Sequence, residues 1–414
     1  MRILIWSGLA LVLPTVVHAE PLTFEEAIER AVREAPSLRA TEAGVRAAQA
    51  QAIAADRLPD PTLELGIRDF PVTGSDAGKL NSDNFTMRTI GFTQEFTNPA
   101  KRRARAARAG AEIGIAQAGL AVEAQNLRLE TALAWIDLYY AKRRLGQLQI
   151  LDRSLGDLQA TVAARLTSGA ARPSQALEPD QLRAAVNDRR SELEAEVAKA
   201  RAQLVRYTGD PQADAVGNLP PLEVHHDHLT NGIASLPRLG ALEAQTRVAE
   251  AEVRLAQAEK RPDWRVNATY GRREPNFGDL VSVGVSIDLP LFTKNRQNPQ
   301  IAARASQAEV ARFSRLAAER EVAAALASDL ADHAMHDRRL DNARNVLVPL
   351  AKRRGELDQA SYAAGTLDLG SALLSTLALA EAEVDALARE AEVARDTVLI
   401  NFTYGPITYH EERP

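Results

Sequence analysis

The chain has 414 residues, with 50 Lys and Arg against 55 Asp and Glu, 45% hydrophobic residues, 5% aromatics and no cysteine. This composition excludes a disulfide scaffold, a thiolate metal site, a cysteine nucleophile and a lipid-modified N-terminal cysteine. A formal charge of -5 argues against nucleic acid as a partner, since a phosphate-tracking surface carries a basic excess.

In chain order, Arg2, the apolar run Ile3 to Val17 and the small-residue site Val17-His18-Ala19 predict a secretory signal peptide over 1–19, with a mature chain from Glu20. About 15 apolar residues fall short of the roughly 20 a spanning helix needs. No later segment reaches that length without charges. The protein is therefore expected to leave the cytoplasm and to meet any membrane by another route.

From residue 20 the chain is Ala-rich and laced with Glu, Arg and Leu, as long helices are, and it repeats itself. Pro36, Leu38, Glu42, Arg46 and Pro61 recur 201 positions later as Pro237, Leu239, Glu243, Arg247 and Pro262. Gly169, Ala176, Leu177 and the run Glu194 to Ala198 recur at a spacing of 196 as Gly365, Ala372, Leu373 and Glu390 to Ala394. Ordered blocks at a nearly constant offset point to duplication. The first repeat, 20–219, holds a helix from about Thr23 to Arg57, a β-hairpin over 62–96, and a long helical hairpin over 100–206 with its turn at Gly169 to Pro173. A Pro-bounded linker follows over 220–237. The second repeat, 238–405, holds a helix from Arg238 to Lys260, a β-hairpin over 264–291 (strands Trp264 to Gly271 and Leu280 to Leu291), and a long helical hairpin over 299–402 with its turn near Gly365. Residues 406–414 form a tail.

The β-rich stretches carry the sharpest periodicity. Trp264, Val266, Ala268 and Tyr270 alternate with Arg265, Asn267 and Thr269, and Val281 to Leu289 alternate with Ser282, Gly284, Ser286 and Asp288. In the first hairpin Leu63, Leu65 and Ile67 alternate, and a phase change between Met87 and Ile90 predicts a bulge. Such spans suit tilted transmembrane strands with aromatics at their ends, and periodicity alone fits a small sandwich equally well. Four strands cannot close a spanning barrel, and lipid tolerates no open edge. If these strands enter a membrane, several chains share one barrel.

With a secretory signal and two copies of helix, strand hairpin, long helix, glycine turn and return helix, the mature chain resembles the TolC family of outer-membrane efflux channels. Leu58 to Leu63, Asp69 to Gly74 and Met87 to Arg103 are similar to its CzcC-like heavy-metal branch. The resemblance implies a mainly α fold with a membrane β-barrel portion: four strands per chain, a homotrimer with a 12-stranded barrel, and a periplasmic α-helical tunnel. It implies an outer-membrane location extending into the periplasm, and docking to a periplasmic adaptor (membrane fusion) protein that serves an inner-membrane proton-driven pump of the resistance-nodulation-division type. Drug export by the same architecture, or a secreted helical scaffold, are the alternatives.

Site candidates follow from that resemblance and from spacing. Arg165, Gly169, Tyr362 and Gly365 match the family's paired periplasmic turns. Where the family often carries an Asp six residues after the glycine, this sequence has Gln175 and Ser371, leaving Asp368 as the nearest carboxylate, either a gate residue or a helix N-cap. Lys101, Arg102 and Arg103, with Arg105 and Arg108, follow a strand hairpin, where they would meet lipid headgroups of the outer membrane or form a solvated face; Trp264 and Tyr270 would mark the membrane interface. Asp329, Asp332, His333 and His336 share one helix face at i, i+3, i+4 and i+7, a pattern for transient divalent-metal contact or for a solvated surface. His225-His226-Asp227-His228 in the linker is a second metal-capable tract. No phosphate loop, zincin motif or nucleophile elbow is present, so neither enzyme activity nor a cofactor is expected.

Overall fold

The computed structural model describes residues 21–80, 82–167 and 177–405; the signal peptide, Gly169, Gln175 and the tail lie outside them. The single helix expected from Thr23 to Arg57 is two: α1 (Phe24–Glu34) and α2 (Pro36–Ala55). Pro36 is the cause. It lacks an N–H and pushes the preceding residue out of helical conformation, and Ala35 sits at φ -59°, ψ 125°. α1 starts in a capping box, with Glu26 N–H donating to the Thr23 hydroxyl and Thr23 N–H to the Glu26 carboxylate.

Next come β1 (Thr62–Arg68), β2 (Met87–Phe96), the 69-residue α3 (Pro99–Thr167) and α4 (Glu178–Thr208). The segment read as a linker carries a short helix, α5 (His226–Gly232), and a 3-10 turn. Beyond it lie α6 (Pro237–Ala258), β3 (Trp264–Arg272) and β4 (Leu280–Ile287). β4 stops before Leu289 and Leu291, because Pro290 between them cannot donate to a ladder. α7 (Gln297–Asn342) runs through a π turn (Ala343–Leu347) into α8 (Val348–Ala363), and α9 (Leu369–Tyr404) follows. The π turn precedes Pro349, whose ring would clash with the carbonyl four residues earlier in a regular helix, so the helix widens there and continues.

Within the described residues the chain forms two compact units, each drawing on both halves of the sequence. One takes in 21–35, 126–225 and 327–403. Its core is built on Trp135, which is fully buried: the indole Nε1 donates to the Leu22 carbonyl at 2.9 Å, Phe24 meets the ring edge-on at 5.5 Å, and Tyr139 stacks on it at 5.0 Å. Leu22 is held by a parallel bridge to Ala215, so Trp135 ties α3 to the chain's first described residues. A second cluster joins α3, α4, α8 and α9 through Leu148, Leu151, Val186, Leu193, Tyr362, Leu369 and Leu373. The other unit, 36–125, 226–326 and 404–405, contains the sheet. The four strands form one antiparallel sheet in sequence order, with β2 and β3 central and β1 and β4 at the edges. Pairing is unbroken along β1–β2, β2–β3 and β3–β4, so the expected bulge is absent. The apparent phase change arises because Met87 stands on the polar face, opposite Arg68 in the register.

Because Trp135 fills the centre of its cluster and satisfies a backbone carbonyl, Trp135→Ala should destabilise the protein by about 3–5 kcal/mol. Denaturant unfolding in detergent measures this; a loss below about 1 kcal/mol contradicts the packing described.

Candidate functional site: an exposed apolar sheet face and the helical ends

Directly paired residues in a sheet project to the same side, so the register assigns the faces. One row reads Leu63, Phe92, Ala268, Val283, and the next on that face reads Leu65, Ile90, Tyr270, Val281. The intervening row, on the opposite face, reads Glu64, Gly91, Thr269, Ser282. The apolar face is bare: Leu65 is 73% exposed, Val281 73% and Val283 72%. A soluble domain rarely leaves so many contiguous large side chains open. Aromatics lie towards both ends of this face, with Phe96 paired to Trp264 in the last row at one and Tyr270, bonded through its hydroxyl to Asp279, one row before Arg88 and Arg272 at the other. No helix among the described residues is long and apolar enough to cross a membrane.

The basic cluster at the start of α3 is divided in its roles. Lys101 Nζ lies 2.5 Å from Asp263 Oδ2, and both side chains are largely buried. Asp263 Oδ1 also accepts the Asn98 N–H, and Asn98 Oδ1 caps the helix by accepting the Ala100 N–H. Lys101 thus clamps the first turn of α3 to the root of β3. Arg102 donates to the Asp56 carbonyl, while Arg103 and Arg105 remain exposed beside the aromatic end of the sheet. Sequence reading missed the Lys101–Asp263 clamp, although Asn98-Pro99 is a legible N-cap and first-turn proline.

At the second helical turn, Gly365 adopts φ +77°, which favours glycine, and its N–H donates to the Tyr362 carbonyl. Asp368 caps α9: Ser371 donates to it from both backbone N–H (2.9 Å) and hydroxyl (2.7 Å), and these bonds hold its pKa below the ordinary carboxylate value. The N-cap role is therefore the one this structure displays for Asp368. Tyr362 is buried in the second core cluster. Glu178, at the start of α4, brings its carboxylate to the same place, 3.3 Å from where a Cβ on Gly370 would sit. Arg165 lies within α3.

Asp329, Asp332, His333 and His336 all lie on α7, and among the described residues no three His, Asp or Glu side chains gather to hold a metal ion. His336 instead pairs across to α9, with Nδ1 2.6 Å from Asp396 and Nε2 3.8 Å from Glu392. Of the linker tract, His225 and His226 are exposed.

A charged centre that sequence reading missed lies between α3, α9 and the π turn. Glu390 accepts from Arg344 at 2.7 Å, Arg143 at 2.8 Å and the Tyr140 hydroxyl at 3.1 Å. Burial raises the Glu390 pKa, but the two guanidinium groups outweigh it and the net shift is downward. Burial first, and Glu390 second, push the Tyr140 phenol well above its usual range. Arg344, Arg143 and Glu390 also line a shallow cleft of about 390 Å³ with Gln147 and Glu383. Nothing in the local sequence of Glu390 announces Arg143 and Tyr140, which lie 247 and 250 residues away.

Solved structures share this architecture. A membrane protein from Pseudomonas aeruginosa matches 92% of this chain and 90% of its own at a TM-score of 0.78 and 17% identity. The outer membrane protein VceC from Vibrio cholerae matches at 0.75 and 17%, over 92% and 96% of the two chains. The open state of the MtrE outer membrane channel of Neisseria gonorrhoeae matches at 0.74 and 16%, over 92% and 88%. No family profile and no curated protein matches the sequence. The chain has the fold of outer membrane channels.

Glu390 is ionised and better stabilised folded than unfolded, so its contribution is present above the unfolded carboxylate pKa of about 4.3 and is lost as pH falls through the lower folded value. Glu390→Gln should therefore lower the melting temperature at pH 7, with a deficit that shrinks as pH is taken below about 4. A deficit independent of pH contradicts the ionic role.

Proposed function

We propose that the protein is the outer-membrane channel component of a tripartite pump–adaptor–channel efflux system, a passive duct for heavy-metal cations with no chemistry of its own. The observation that carries this reading is the in-register apolar face, bare across all four strands and with aromatics towards both ends. Hydrocarbon is the environment such a face requires, and the opposite face, mostly Thr, Ser, Asn and Gly with charged residues nearer its ends, requires water. The two edges explain the oligomer. β1 and β4 run antiparallel to one another, so β4 of one copy can pair with β1 of the next, and three copies close a 12-stranded barrel without a free edge.

The remaining roles follow from that placement. Arg103 and Arg105, exposed beside the Phe96–Trp264 end, meet phosphate headgroups, whereas Lys101 holds α3 to the root of β3 and Arg102 ties it to the chain just past α2. The helices form a periplasmic tunnel, and its ends, the turn expected from the sequence around Arg165, Gly169 and Gln175 and the turn at Gly365, Asp368 and Ser371, dock the adaptor that couples the channel to a proton-driven inner-membrane pump. Tyr362 supports the second turn from within the core. Support for heavy-metal cargo is the resemblance of Leu58 to Leu63, Asp69 to Gly74 and Met87 to Arg103 to the heavy-metal branch.

A strain lacking the protein should become sensitive to Zn²⁺, Co²⁺, Cd²⁺, Cu⁺ or Ag⁺ while its drug tolerance is unchanged, and the tagged protein should need detergent for extraction and run as a trimer. Sensitivity to drugs alone reassigns the cargo. Release by alkali without detergent contradicts the channel.

A further inference from the structure

The polar face of the sheet is nearly uncharged along its middle. The row Thr62 to Gly284 and the row Gly66 to Leu280 contain no ionisable residue, and between them lies the row Glu64, Gly91, Thr269, Ser282. Glu64 is thus the only ionisable side chain in three consecutive polar rows. Charges reappear only nearer the ends of the strands, at Arg68, Glu95 and Arg265, the last beside Asp288 at 3.7 Å. The Glu64 carboxylate is exposed, and among the described residues no ion pair or hydrogen bond engages it.

Its surroundings keep it available. A Cβ on Gly91 would lie 3.4 Å from the Glu64 Cβ and 3.4 Å from Thr269 Oγ1, so Glu64 and Thr269 lean over the glycine from either side. The same device recurs in a neighbouring row, where a Cβ on Gly284 would stand 2.6 Å from Asn267 Oδ1. Glycine therefore gives these longer side chains room on a low, polar surface. A solitary carboxylate on an otherwise neutral wall imposes its sign on the ions passing it, because no neighbouring cation cancels its field.

From this placement we infer that Glu64 sets the ionic preference of the pore: one carboxylate from each copy, at mid-height of the barrel wall, makes the barrel lumen favour cations over anions. The inference rests on the channel reading, since the polar face meets a water-filled lumen only if the apolar face meets lipid. It adds a specificity-determining residue within the sheet, apart from the helical turns.

The test uses the full-length protein in planar bilayers under a KCl gradient. The wild type should conduct with a cation preference, and Glu64→Gln should conduct with a cation-over-anion permeability ratio lower by about five- to seventyfold, because three carboxylates at about 10 Å attract the cation about two- to eightfold, with and without salt screening, and repel the anion by the same factor. Ser282→Lys, in the same row, should lower or invert the preference by the opposite charge, and it serves if the Glu64 variant fails to assemble. Because the chain has no cysteine, Glu64→Cys and Leu65→Cys can each be probed with a membrane-impermeant thiol reagent. Labelling at 64 and not at 65 is expected. A conducting pore whose permeability ratio is unchanged by both charge variants overturns the inference alone; no conductance from the wild type, or labelling at 65 and not at 64, overturns the channel reading with it.

Discussion

One face of one sheet governs the rest of this protein. Backbone N–H and C=O groups can enter hydrocarbon only if each is bonded, and a row of bare Leu, Ile, Val and aromatic side chains has no stable home in water. The four strands satisfy their inner ladders but leave β1 and β4 each with an unpaired edge. A single copy therefore cannot place its apolar face in lipid. The remedy is built into the topology: an even, sequential antiparallel sheet ends on strands of opposite direction, so identical copies can join head to tail and close. On the proposed channel reading, oligomerisation is a requirement of the sheet rather than an addition to it.

The sheet would be of little use if it were loosely attached to its helices. Within its unit the attachment is a set of short polar links at the strand roots. Asp263 accepts from both Lys101 and the Asn98 backbone, and Asn98 Nδ2 reaches the Pro262 carbonyl at 3.3 Å. A buried ion pair of this kind adds little net stability, yet removing one partner is costly, and it fixes geometry well. In the other unit, apolar packing around Trp135 and around Leu193 and Leu373 supplies cohesion. Glu390 adds direction by holding Arg344 of the π turn and Arg143 of α3 at once. Placing that ionic centre beside the π turn pins the helix where Pro349 interrupts its regular bonding.

Much of this was legible from local chemistry. The alternation from Trp264 to Tyr270 and from Val281 to Ile287 located two strands and their apolar face, since a period of two has one structural meaning. Strand β1 was equally plain. Met87 misled, because an apolar side chain on a polar face looks like a shift of phase, and only the pairing with Arg68 shows the strand to be continuous. Pro36 marks the break in the first helix, which the helical periodicity on either side of it masks. What the sequence hid was pairing at a distance. Lys101 looked like a free cation because Asp263 lies 162 residues away, and the His336 face looked open because its partner, Asp396, stands on another helix. Asp368 was legible as an N-cap, whereas the burial of Tyr362 depends on α3, α4 and α9 together.

Closure of the sheet on copies of itself through its two edges is tested most directly by cysteine cross-linking. With one cysteine introduced on β1 and one on β4 of a chain that otherwise has none, oxidation in intact outer membranes should covalently join neighbouring copies, and the bands should stop at three chains. Bands confined to the single chain across a scan of edge positions, or a ladder running on past three, would contradict a closed three-copy barrel.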